Sequence, residues 1–208
     1  MIRTTALVGL VLLLSGCAAP TVAPAPVPPV SSPGPVAPAP ATTRNDIPIR
    51  TTEPRAMEAP VPPVRVRVPG VEVDVEVIPV GVRADSFMEL PDYVGTAGWY
   101  RYGSGPTSDE GTTVIAAHVD SLEWGLGPFA RLRDLPFGAE VLVTTQDGVE
   151  HRYLVESVVN LRKEELPVGE IFARTGPERL VLITCGGRFD REALRYSDNV
   201  LVTAVPVQ

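Results

Sequence analysis

The chain has 208 residues, 23 of them proline, 44% hydrophobic residues and a formal net charge of -7. An acidic balance argues against a nucleic-acid partner and against electrostatic docking on anionic lipid. The length leaves room for one core of ordinary domain size once the proline-rich start is set aside.

Residues 1–17 read as an export leader. A basic start at Arg3 precedes an apolar stretch from Ala6 to Leu14, too short to span a bilayer comfortably. The ending Leu14-Ser15-Gly16-Cys17 is similar to the lipobox of bacterial lipoproteins. That resemblance implies lipidation at Cys17, which becomes the mature N-terminus and sits on a membrane through its acyl chains. The plainer alternative is a secretory signal cut near Ala18-Ala19. Residues 18–63 hold 14 of the 23 prolines and read as a Pro/Ala-rich disordered linker. At about 3.1 Å per residue such a tether reaches on the order of 140 Å when fully extended.

Residues 64–208 read as one mainly β domain. Val64–Val68 and Val71–Val77 alternate apolar and charged residues with period two, and Pro69-Gly70 bends the chain between them. Phe87–Leu90 reads as a short strand. Thr112–His118 is an apolar run of buried-strand type. Pro128–Leu132 reads as a helical turn opened by proline. Glu140–Thr144 and Val149–Val159 flank Asp147-Gly148, a strong hairpin signal. Lys163–Phe172, with Pro167 inside it, reads as a loop with a helical turn. Arg179–Cys185 and Asn199–Val205 complete the strands. Many short strands separated by turns predict a closed or nearly closed β-barrel.

Two of these strands end on reactive side chains. Leu180-Val181-Leu182-Ile183-Thr184 leads into Cys185, and Thr113-Val114-Ile115-Ala116-Ala117 leads into His118. With Cys17 lipidated or removed, Cys185 has no disulfide partner. A thiol and an imidazole on buried strand ends are the parts needed for nucleophilic catalysis. Taken singly, each has a plainer use: cysteine as a small buried hydrophobe, histidine as a hydrogen-bonded rim residue. Gly186 and Gly187 after the thiol permit unusual backbone dihedrals and close approach of a substrate chain. Arg188, Arg191 and Arg195 follow, any of which can supply charge for a developing oxyanion. His151 sits beside the Asp147-Gly148 turn and reads as a solvated hairpin residue. Two histidines and one mature cysteine, widely spaced, match no zinc pattern. No phosphate-cradling loop or clustered calcium ligands appear, so no cofactor or metal is expected.

The segments Thr113–Ser121, Pro128–Leu135, Leu182–Asp190 and Tyr196–Ala204 resemble the sortases, and within them the class F group of actinobacterial type. Val66–Val73 and Gly98-Trp99-Tyr100 extend the likeness over nearly all of residues 64–206. The resemblance implies an eight-stranded sortase-type barrel and a cysteine transpeptidase. It implies a sorting-signal peptide similar to Leu-Pro-x-Thr-Gly as substrate, and a cell-wall amine or water as acceptor. Cys185 is then the nucleophile, His118 the general acid and base, and Thr184, Gly186 and Gly187 substrate-binding residues. Many relatives carry an arginine immediately before the Asp-Asn pair, where this chain has Ser197. Arg195 is therefore the expected oxyanion arginine, with Arg191 and Arg188 in reserve. The competing reading is a non-catalytic, sortase-shaped lipoprotein that binds envelope peptides or scaffolds an assembly. A papain-type peptidase or an L,D-transpeptidase fits less well, because those families surround the cysteine differently.

Overall fold

The computed structural model describes residues 59–207. The expected leader, Cys17 and most of the expected linker lie outside the described residues. Among the described residues no helix is long and apolar enough to cross a membrane.

The order is β1 (Pro63–Val68), a 3-10 turn at Pro69–Val71, β2 (Val73–Val80), β3 (Thr96–Tyr100) and β4 (Thr112–Ala116). A small hairpin, β5 (Asp120–Ser121) with β6 (Gly125–Leu126), is followed by a 3-10 segment at Pro128–Asp134. Then come β7 (Glu140–Thr145), β8 (Glu150–Arg162), a 3-10 turn at Lys163–Glu165, α1 (Val168–Ile171), β9 (Arg179–Asp190) and β10 (Arg195–Pro206). Eight strands close a barrel in the order β1-β2-β3-β4-β9-β10-β8-β7. The β2–β3 and β4–β9 pairs are parallel and the others antiparallel.

The period-two pattern explains the first two strands. Val66, Val68, Val73, Val75 and Val77 point into the barrel and are almost fully buried. The intervening charges face out and pair across strands, Arg65 with Asp74 and Arg67 with Glu150. The Asp147-Gly148 turn joins β7 to β8 as expected, with Gly148 at φ 84°. Phe129 and Leu132, from the proline-led 3-10 segment, are fully buried in the barrel core with Trp99, Tyr153, Leu180 and Leu182.

A second apolar cluster covers the outer face of the neighbouring strands. It joins Val114 of β4, Val181 of β9 and Leu201 of β10 to Ile171 of α1, with Ile183 packed against it. These strands are therefore buried on both faces, which is why they read as continuous apolar runs.

Three expectations change. Phe87–Leu90 is not a strand; Phe87 is 68% exposed and only an isolated Val82–Met88 bridge forms, after a turn with Ser86 at φ 67°. Strand β3 was not separable as a strand in the sequence, because Ala97 and Gly98 are weak β formers. Gly98 is needed there: a Cβ would lie 2.8 Å from Val80 Cγ2 on the parallel partner. The last two strands also run further than their apolar cores, to Asp190 and from Arg195, as one long hairpin.

Candidate active site

The parallel β4–β9 register pairs Ala116 with Ile183. The ladder runs one bond further, from Ala117 N–H to Ile183 O. The Thr184 hydroxyl then donates to Ala117 O at 2.9 Å. His118 lies two residues past β4 and Cys185 lies within β9, so this register, continued, sets His118 opposite Cys185. Alternation puts both on the outer face, the one carrying Val114, Val181 and Ile183. The apolar cover ends at Ile183, which leaves Cys185 and His118 half-buried at its edge.

Cys185 is a free thiol, and burial pushes its pKa above the ordinary thiol value. Two charges act on it in opposite senses: Lys163 favours the thiolate and Asp120 disfavours it. Asp120 begins the small hairpin two residues after His118 and accepts a hydrogen bond from the Tyr196 hydroxyl. Its carboxylate and the nearby thiol push the Tyr196 phenol up to about 12, with the hydrogen bond to Asp120 as the largest cause.

On β10, Asn199 is the rung partner of Cys185 and lies on the same face. Its Oδ1 is buried without a hydrogen-bond partner among the described residues. On the opposite face, Arg133, Asn160, Gly186, Gly187 and Val200 line a cavity of about 240 Å³.

The residues named from sequence are distributed unevenly. The β4–β9 register, continued, sets His118 opposite Cys185, and both are half-buried. Thr184 is 3% exposed and its hydroxyl donates to Ala117 O, which ties β9 to the segment that follows β4. Gly186 faces Asn160 and Val200; a Cβ there would lie 2.7 Å from Asn160 Oδ1. Gly187 sits at φ 73°, where the β9–β10 register slips by one residue. Arg195 does not reach the thiol's rung: it pairs with Asp190, five residues past Cys185. That is roughly 15 Å of strand at about 3.3 Å per residue. The physical reason is the long hairpin, which carries the segment expected as a loop away from the site. His151 is half-buried, with Nε2 3.3 Å from Thr145 Oγ1.

Lys163, Asp120, Tyr196 and Asn199 were not singled out as site residues in the sequence. Asn199 and Tyr196 fall within the Tyr196–Ala204 segment, so that likeness was the available signal. Lys163 had none beyond its position at the end of a strand. Among the described residues no group of three metal-ligating side chains occurs.

Comparison places this geometry among known folds. The family described as Sortase domain matches residues 66–207. Sortase A from Corynebacterium diphtheriae is similar at 19% identity and TM-score 0.53, over 74% of this chain and 63% of that one. Sortase C-1 from Actinomyces oris is similar at 21% identity and TM-score 0.54, over 72% and 73% of the two chains. Sortase C1 from Streptococcus suis is similar at 18% identity and TM-score 0.54, over 70% and 73%. The chain thus spans just under two thirds of the length of the Corynebacterium enzyme. At these identities the structural likeness is one of fold. No curated protein matches the sequence.

Proposed function

This chain belongs to the sortase family, and on that premise we propose that it is an exported cysteine transpeptidase of the class F type. The observation that supports the reading is the β4–β9 register, whose continuation past Ala117 sets His118 opposite Cys185. The substrate is a sorting-signal peptide similar to Leu-Pro-x-Thr-Gly. Cys185 Sγ bonds to the scissile carbonyl carbon, and the oxyanion collapses to a thioester as the C–N bond breaks. His118 gives its proton to the leaving amine. An incoming amine then loses a proton to His118 and attacks the thioester. A new C–N bond forms, the C–S bond breaks, and the thiol is restored. Water in place of the amine gives hydrolysis.

Burial holds the resting thiol protonated. Its proton must leave as the sulfur attacks, and the neighbouring imidazole is the base in reach. Lipidation at Cys17 and the proline-rich segment belong to the same reading: they would hold the barrel at a distance from the membrane surface.

Mass spectrometry of the purified chain with a library of Leu-Pro-x-Thr-Gly-like peptides tests the reading, beside a Cys185→Ala control. The expected result is an acyl adduct on Cys185 with release of the C-terminal fragment. No adduct with any peptide, while the thiol still alkylates, would favour the peptide-binding lipoprotein instead. Membrane retention that survives Cys17→Ala would remove the lipid anchor from the proposal.

A further inference from the structure

We propose that the Lys163 ammonium is the positive charge of this site, stabilising first the Cys185 thiolate and then the oxyanion formed on the peptide carbonyl. The inference rests on the acyl-transfer reading above and supplies the cation that reading lacks.

Strand β8 pairs with β10 through Leu161–Asn199 and Arg162–Asp198. Lys163 follows directly and begins the 3-10 turn that packs on β10; the register, if continued by one step, would set it against Ser197. Asn199 is in turn the rung partner of Cys185. Residues two apart on a strand share a face. Cys185, Asn199, Leu161, Ser197 and Lys163 therefore form one outer-face patch across β9, β10 and the end of β8. His118 closes it from β4.

Other cations near the rim have interactions of their own, and Arg133 also acts on the Tyr196 phenol. Arg162 alternates onto the other face with Asp198, and its Nε lies 3.8 Å from Glu164. Arg133 lines the cavity on that other face and donates its Nε to Ala130 O at 2.8 Å. Arg188 and Arg195 act on Asp190 in the distal hairpin. Lys163 makes no ion pair among the described residues. Among the described residues it is also the one cation whose charge acts on the Cys185 thiol, against the opposing carboxylate of Asp120. A flexible ammonium at a half-buried rim is a strong partner for transient negative charge, because little water competes for it.

The test uses the full chain carrying Cys17→Ala, so that Cys185 is the single thiol. Lys163→Gln, Lys163→Arg and the double variant Lys163→Gln/Ser197→Arg are compared with it. Two readouts are taken: the pH midpoint of iodoacetamide alkylation, and the rate of acyl transfer from a Leu-Pro-x-Thr-Gly-like peptide. Lys163→Gln is expected to move the alkylation midpoint upward and to slow acylation by about 100-fold, the order seen when an oxyanion donor is removed. Lys163→Arg, and Ser197→Arg within the double variant, are expected to restore most of both. Wild-type behaviour of Lys163→Gln in both readouts overturns the proposal. So does a loss that neither arginine recovers, since that marks a packing role. If the unmodified site acylates with no peptide while Lys163→Gln still raises the midpoint, the charge assignment stands and the transpeptidase reading falls.

Discussion

Tyr196 donates its hydroxyl to Asp120 Oδ2, so the hairpin beyond Cys185 is latched to the small hairpin beyond His118. The latch places a carboxylate within electrostatic range of the thiol, where it disfavours the thiolate. Asp120→Asn keeps an acceptor for Tyr196 and removes the charge. The sign follows directly: without the carboxylate the thiolate is easier to form. The alkylation midpoint of Cys185 is expected to fall, opposite to the shift in Lys163→Gln. An unchanged midpoint would show that Asp120 is screened from the sulfur.

Cys185→Ala removes a half-buried sulfur that makes no hydrogen bond the fold needs. The variant is expected to melt with the wild type and to form no acyl adduct. A peptide still cleaved by this variant would mean that the nucleophile lies elsewhere.

The sequence carried the barrel because its strands obey simple patterns. Val66 and Val68 alternate with Arg65 and Arg67, and Asp147-Gly148 can hardly be anything but a hairpin turn. His118 and Cys185 stand out because each ends an apolar run in the sequence, and the parallel β4–β9 register, continued past Ala116, sets those two ends opposite one another. Lys163 does not stand out in the sequence: it lies 22 positions before Cys185, and the β8–β10–β9 ladder, paired up to Arg162, is what links the two segments. Arg195 lies ten residues from the thiol along the chain, just before the expected strand Asn199–Val205, whereas β9 and β10 continue as paired strand past the rim and set it against Asp190. Phe87–Leu90 had the composition of a strand but no apolar face to cover, and Phe87 stays exposed.

Gly187 carries two demands at once. Its φ of 73° disfavours any side chain, and a Cβ would approach Ser197 Oγ to 2.4 Å and Asp198 Cγ to 2.5 Å. Gly187→Ala should therefore cost about 1–3 kcal/mol from the backbone conformation, before any steric contribution. Relief by shifting the bulge would also move the rung that pairs Asn199 with Cys185. The expected outcome is a lowered melting temperature together with slower acylation. A normal melt with normal acylation would show that the bulge is soft.

Thr184 is buried one residue before Cys185. Its hydroxyl donates to Ala117 O at 2.9 Å, one residue before His118, while its own backbone leads into Cys185. Thr184→Val keeps the shape and deletes the donor, leaving the Ala117 carbonyl short of a partner in a buried place. Loss of such a bond costs about 1–3 kcal/mol when the remaining group stays unsatisfied. Because this bond joins the ends of β4 and β9, the damage should fall on alignment more than on peptide binding. The kcat for acyl transfer is expected to drop while KM changes little, and the Cys185 alkylation midpoint should stay near the wild-type value, since no charge has moved. A rise in KM with kcat preserved would reverse the assignment, placing the Thr184 hydroxyl in contact with the peptide and the alignment of the strand ends in the backbone ladder alone.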